Sequence, residues 1–154
     1  MAIEIERKFL VIADQLPPLP EGVNIVQGYI PTTNGTSVRI RIAGEEAFMT
    51  FKRRISGINR REHEFSIPLA DAQEMLNEMC LPQTVEKVRY LIPFAGLVWE
   101  LDVFSGANAG LTVAELELDH EAQQLELPHW VGTEVTQDER YSNTSLALRP
   151  YSTW

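Results

Sequence analysis

Seven pairs or near pairs of charged residues recur at i and i+2 along the chain: Glu4 and Glu6 with Lys8, Arg39 and Arg41, Lys52 and Arg54, Glu62 and Glu64, Lys87 and Arg89, Glu100 and Asp102, and Glu115 and Glu117. In an extended strand this spacing puts both members on one face. Like charges side by side repel, and a merely solubilising surface mixes signs. Like-sign pairing therefore calls for a ligand of opposite sign. Guanidinium forks and ammonium groups satisfy phosphate oxygens, while clustered carboxylates hold hard cations such as Mg²⁺ or Mn²⁺. Both sets in one cavity would suit metal-assisted phosphoryl transfer.

These residues need strands to carry them. The residues between the charges are large and apolar, including Ile5, Ile40, Val88, Leu101 and Leu116, so each segment reads as an amphipathic strand. Strands are expected over about 2–11, 24–30, 37–42, 48–54, 61–67, 85–91, 98–103 and 113–118. Asn34-Gly35, Gly44 and Ser56-Gly57 supply turns. After Pro68 the period changes to about 3.6, and Leu69, Ala72, Met75, Leu76, Met79 and Cys80 form one helical face. A short helix is expected near His120 to Leu125. A last one, opened by Thr136-Gln137-Asp138-Glu139 as a capping box, is expected to run towards Leu148.

If the charged faces turn inward and the apolar faces outward, eight strands enclose a space for side chains or one small ligand. The expectation is an α+β fold, an eight-stranded antiparallel closed barrel with a charged interior and a few helices outside, spanning 1–154 as one domain. The balance of charge agrees. Seven of the 13 basic and eight of the 22 acidic residues belong to the paired set, which is dense yet near neutral. The net charge of −9 therefore resides outside it, which argues against a nucleic-acid partner. No apolar run approaches a membrane span, and charge arrives at Glu4, so a cytoplasmic location without membrane association is expected. The lone Cys80 excludes an internal disulfide framework.

Glu4-Ile5-Glu6-Arg7-Lys8 resembles the ExExK signature of the CYTH superfamily, the triphosphate tunnel metalloenzymes. The later RxR, TFK, ExE, KxR, ExD and ExE motifs follow in that family's order, and the likeness runs from Ile3 to the final helix. It is similar above all to the short bacterial inorganic triphosphatases. The resemblance implies a triphosphate tunnel, Mg²⁺ or Mn²⁺ as cofactor, and a small-molecule triphosphate hydrolysed to pyrophosphate and phosphate, by a monomer or homodimer. By the same resemblance Lys8, Arg39, Arg41, Lys52, Arg54, Lys87 and Arg89 bind the phosphate chain. Glu4, Glu6, Glu62, Glu64, Glu100, Asp102, Glu115 and Glu117 hold metal or orient water. Lys52, Lys87, Glu115 and Glu117 are the catalytic candidates. Rival readings are a class IV adenylyl cyclase, a thiamine or nucleoside triphosphatase, and a non-catalytic polyphosphate- or nucleotide-binding module.

Other residues carry less. His63 alternates with Glu62 and Glu64 and so points away from them; His120 and His129 have no partner at ligand spacing. There is no serine or cysteine nucleophile beside a base and no phosphate-binding glycine loop. Trp99, Trp130 and Trp154 read as packing residues. Two positions stay open: Tyr29, which shares a face with Gln27, and Arg140, near where family members often carry a lysine.

Overall fold

The computed structural model describes residues 3–154. It contains strands β1 (Ile3–Val11), β2 (Val23–Ile30), β3 (Ser37–Ala43), β4 (Glu46–Ser56) and β5 (Asn59–Ser66), then helix α1 (Leu69–Glu78). Strands β6 (Val85–Phe94), β7 (Leu97–Ser105), β8 (Thr112–Glu117) and β9 (Val131–Glu134) follow, and helix α2 (Asn143–Leu148) lies near the end. The sheet order is β5-β4-β3-β2-β6-β7-β8-β1-β9, all antiparallel, and β5 pairs again with β1. Eight strands thereby close into the expected barrel, through the pairs Ile3↔Arg61, Glu4↔Arg60 and Ile5↔Asn59. No described helix is long and apolar enough to cross a membrane.

Alternation along the strands decides what faces where. Ile5, Phe9, Trp99, Leu101, Ala114 and Leu116 turn outward and pack into one core cluster with Trp130 and Leu118. Trp99 meets Phe9 and Trp130 edge to face, with centroids 5.5 and 5.6 Å away. Helix α1 covers Ile40 and Ala47 through Ala72 on the opposite side. There Gly28 is required, because a Cβ would stand 2.9 Å from Leu76 and 3.0 Å from Cys80. The third cluster gathers Tyr29, Val85, Phe104 and Val113 with Leu146 and Ala147 of α2, so an apolar plug backs the charged lumen.

Several local expectations are corrected. No helix forms over His120–Leu125; this polar stretch is irregular, and Gln123 Oε1 accepts instead from Asp119 N at 2.7 Å. Thr136 caps no helix: its hydroxyl accepts from Lys8 N at 3.0 Å and donates to Glu134 at 2.6 Å. Asp138 caps only the 3-10 turn Glu139–Tyr141, and the true cap of α2 is Ser142, whose hydroxyl accepts from Ser145 N at 3.1 Å. Helix α1 ends before Met79, so Cys80 follows it rather than belonging to it. Strand β9 was not anticipated, since four residues interrupted by Gly132 give little periodicity; it pairs with β1 at Phe9 and Val11. The β6–β7 turn, Ala95-Gly96, has φ of 50° and 80°, the left-handed pair that a two-residue hairpin requires.

Candidate active site

The lumen holds a cavity of about 240 Å³. Thirteen of the fifteen residues singled out in the sequence line it: Glu4, Glu6, Lys8, Arg39, Arg41, Lys52, Glu62, Glu64, Lys87, Arg89, Glu100, Glu115 and Glu117. Of the eight strands that close the barrel, all but β2 contribute a charge, as period-two alternation demands; β2 contributes Tyr29. With Arg60 the lining has seven cations and seven carboxylates. Two residues stand apart. Arg54 lies outside the inner cavity, in a vestibule of about 510 Å³ that adjoins it. Asp102 faces inward with Glu100 but is fully buried against Lys87 and Arg89.

Asp102 has both oxygens occupied. Lys87 Nζ donates to Oδ2 at 2.7 Å, and Arg89 donates through Nε to Oδ1 at 2.8 Å and through Nη2 to Oδ2 at 2.9 Å. Arg89 Nη1 donates to Glu100 at 2.7 Å. Lys52 Nζ stands 2.8 Å from Glu4 Oε2 and 3.5 Å from Glu62, and Lys8 Nζ lies 3.6 Å from Glu115. Thr50 donates to Glu64 at 2.7 Å and accepts from Arg39 at 3.2 Å. Five of the seven lining cations, Lys8, Arg39, Lys52, Lys87 and Arg89, thus stand within 4 Å of a carboxylate. Among the described residues two buried atoms still lack a well-angled partner, Glu4 Oε2 and Arg39 Nε.

The ladder also sets carboxylates face to face: Glu6 is directly opposite Glu117, and Glu100 opposite Glu115. Such pairs are unfavourable unless a proton or a cation intervenes. Burial, then the neighbouring charges of Glu115 and Glu4, push Glu6 up to about 8. Burial acts the same way on Glu115, but Lys8, Arg89 and Lys87 outweigh it and hold that group well below the ordinary range. The two groups are thus pushed apart, Glu6 towards its protonated form and Glu115 towards its charged one. Burial lowers Lys87 to about 8 against the pull of Asp102, and lowers Arg41 to about 10 with help from Arg39 and Arg89. Among the described residues no three acidic, imidazole or thiol groups converge closely enough to cage a metal as they stand.

Four residues join the charged set in the site: two new ones, Arg60 and Asn143, with Tyr29 and its face-mate Gln27. Arg60 precedes Glu62 by two and shares its face; strand β5 begins at Asn59, earlier than expected, and so includes it. Tyr29, left open above, is buried and lines the cavity. Gln27, fully buried, accepts from Arg41 Nε at 2.8 Å and donates to Tyr29 and Asn143, each at 3.0 Å. Asn143 also accepts from Lys87 Nζ at 3.1 Å, linking α2 to the lumen, and no linear pattern announces it. Arg140 turns outward, paired with Asp138 at 2.7 Å and stacked on Trp154 at 5.0 Å, so it does not stand in for a tunnel lysine.

A closed antiparallel barrel with hydrophobic faces outward and a lumen lined by equal numbers of cations and carboxylates is a charged tunnel protein. The chain belongs to the CYTH domain family, matched over residues 2–151. It is 42% identical over 151 residues to an inorganic triphosphatase of Acetivibrio thermocellus, covering 98% of this chain and 97% of that one. It is 41% identical over 153 residues to an inorganic triphosphatase of Nitrosomonas europaea, covering 94% and 97% respectively. A solved structure described as an inorganic triphosphatase superposes with a TM-score of 0.68 at 38% identity, over 94% of this chain and 97% of that one. A Pyrococcus horikoshii protein shares the fold at a TM-score of 0.59 and 18% identity, covering 77% and 79%.

Proposed function

We propose that this protein hydrolyses inorganic triphosphate to pyrophosphate and phosphate inside the barrel, as a single-domain cytoplasmic enzyme, monomeric or homodimeric. The observation that carries this reading is the cavity itself: seven cations and seven carboxylates share about 240 Å³. Cations alone would serve binding; the acids serve a reaction. The nearly full-length likeness to two inorganic triphosphatases supports the same substrate.

In this mechanism Lys8, Arg39, Arg41, Lys52, Lys87 and Arg89 hold the phosphate chain, with Arg60, like Lys8 and Lys52, facing both the inner cavity and the vestibule. Asp102 serves as the buried anchor that aims Lys87 and Arg89, which replaces the metal role expected from its motif. The remaining acids fit a divalent cation. They offer only hard oxygen donors, Glu4 Oε2 lacks an angled donor, and Glu6 retains a proton that a cation would displace. Glu4, Glu6, Glu62, Glu64, Glu100, Glu115 and Glu117 would supply the ligands of Mg²⁺ or Mn²⁺, which neutralises phosphate oxygens and makes water a better nucleophile when bound. Glu115, which keeps its charge, and Glu117 orient the attacking water, and Glu117 draws its proton. Its oxygen bonds to a terminal phosphorus as the phosphoanhydride P–O bond breaks. Lys52 or Lys87 offsets the charge that gathers on the departing pyrophosphate.

The test is phosphate release with Mg²⁺ or Mn²⁺ from triphosphate, ATP and thiamine triphosphate, with cyclic AMP assayed in the ATP reaction. Triphosphate should be the preferred substrate. Glu115→Gln and Glu117→Gln should each lower kcat by about 10²-fold or more while triphosphate binding changes little. Cyclic AMP formation without release from triphosphate would overturn the reading.

A further inference from the structure

Nowhere else is the chain as basic as in the β4–β5 hairpin. Residues 52–61 contain Lys52, Arg53, Arg54, Arg60 and Arg61, five of the 13 basic residues, and no acid. The ladder brings them against each other, Arg53 opposite Arg61 and Arg54 opposite Arg60. Like charges in directly opposed positions destabilise a sheet. A surface built only for solubility would intersperse acids. Of the four arginines only Arg54 has a carboxylate within reach among the described residues, Glu139 at 3.8 Å, and that pair is more than half exposed.

The hairpin stands at the entrance. Arg53, Arg54 and Arg60 line the vestibule, and Arg60 also lines the inner cavity. Arg53 and Arg61 alternate with Lys52, Arg54, Arg60 and Glu62 and so do not line the inner cavity, Arg53 reaching only the vestibule and Arg61 neither space. Whatever they do for a substrate they do through their field. The need for one is plain in the composition: with a net charge of −9, the protein repels a phosphate-chain anion at long range.

We propose that the β4–β5 hairpin is a capture site for phosphate-chain anions, with Arg53 and Arg61 drawing the anion inward and Arg54 and Arg60 passing it to Lys52. This rests on the triphosphatase reading for its natural ligand. The probe is tripolyphosphate, with its association rate followed by stopped-flow tryptophan fluorescence and turnover measured in parallel. Salt is varied from about 20 mM to about 0.5 M NaCl, over which the Debye length shrinks from about 20 Å to about 4 Å. Wild-type association should slow as salt rises, although the net charge alone would make it quicken. Arg53→Gln/Arg61→Gln should associate about ten-fold more slowly at low salt and within about two-fold of wild type at high salt, with kcat and melting temperature unchanged. Arg53→Lys/Arg61→Lys should behave as wild type. Equal association rates for wild type and the glutamine variant at low salt, or a loss that persists at high salt, would overturn the capture site. Normal salt-dependent association without turnover would overturn the triphosphatase reading alone.

Discussion

Replacing Asp102 with asparagine tests the site at its least accessible point. The side chains of Asp102 and Lys87 have no exposed surface, and three charge-assisted hydrogen bonds of 2.7, 2.8 and 2.9 Å converge on the carboxylate. Asparagine keeps nearly the same volume and one acceptor, which can retain the Arg89 Nε bond. Its amide then points a donor at Lys87 Nζ and Arg89 Nη2, leaving buried Lys87 without its counter-ion and Arg89 with Glu100 alone. Breaking a buried pair in this way costs about 3–5 kcal/mol, a large share of the roughly 5–15 kcal/mol that holds a domain together. For a chain of this size that is a fall in Tm of about 10 °C. Urea denaturation of Asp102→Asn should show the loss, and kcat/KM should fall with it because Lys87 and Arg89 lose their aim. The triple variant Asp102→Leu/Lys87→Met/Arg89→Met, which removes all three charges, should be more stable than Asp102→Asn although inactive. Asp102→Asn within about 1 kcal/mol of wild type, with only its metal affinity reduced, would refute the anchor and restore a ligand role.

Two further outcomes follow from the same network. Glu6 is held near 8 against an ordinary value of 4.5, so between those limits the folded chain binds a proton that the unfolded chain has released. By linkage the metal-free protein should lose stability as pH rises from 4.5 to about 8, by at most about 1.4 kcal/mol per pH unit from this group; urea midpoints of Glu6→Gln should lack that part of the slope, and parallel curves for the two proteins would exclude it. Asn143→Ala removes the acceptor shared by Lys87 Nζ and Gln27 Nε2, and steady-state kinetics should show kcat/KM about ten-fold lower, the effect of one hydrogen bond of about 1.4 kcal/mol, with Asn143→Asp restoring the acceptor; wild-type kinetics in Asn143→Ala would show that α2 does not position Lys87.

Much of this protein is determined by its sequence, because a strand has a period of two and a closed barrel has only an inside and an outside. Charges at i and i+2 with Ile5, Ile40, Leu101 and Leu116 between them leave one arrangement that buries the apolar faces, and thirteen of fifteen expected residues reached the lumen. Periodicity says which face a residue takes but not how deep along the barrel axis it sits. That depth is set by the stagger of the strands, and it left Asp102 buried against Lys87 and Arg89 and Arg54 in the vestibule although their motifs match those of lumen residues. Strand ends are equally invisible locally: Arg60 belongs to the lumen because pairing with Glu4 extends β5 back to Asn59. Contacts between distant segments were out of reach of any pattern. Thr136 looks like a helix cap until Lys8, 128 residues earlier, supplies the backbone N–H that its hydroxyl accepts. Asn143 becomes part of the site only when Leu146 and Ala147 dock in the apolar plug and carry it against Lys87. The sequence determined the chemistry of the lumen; tertiary structure decided which charges neutralise one another, which stay free to meet a ligand, and where the opening lies.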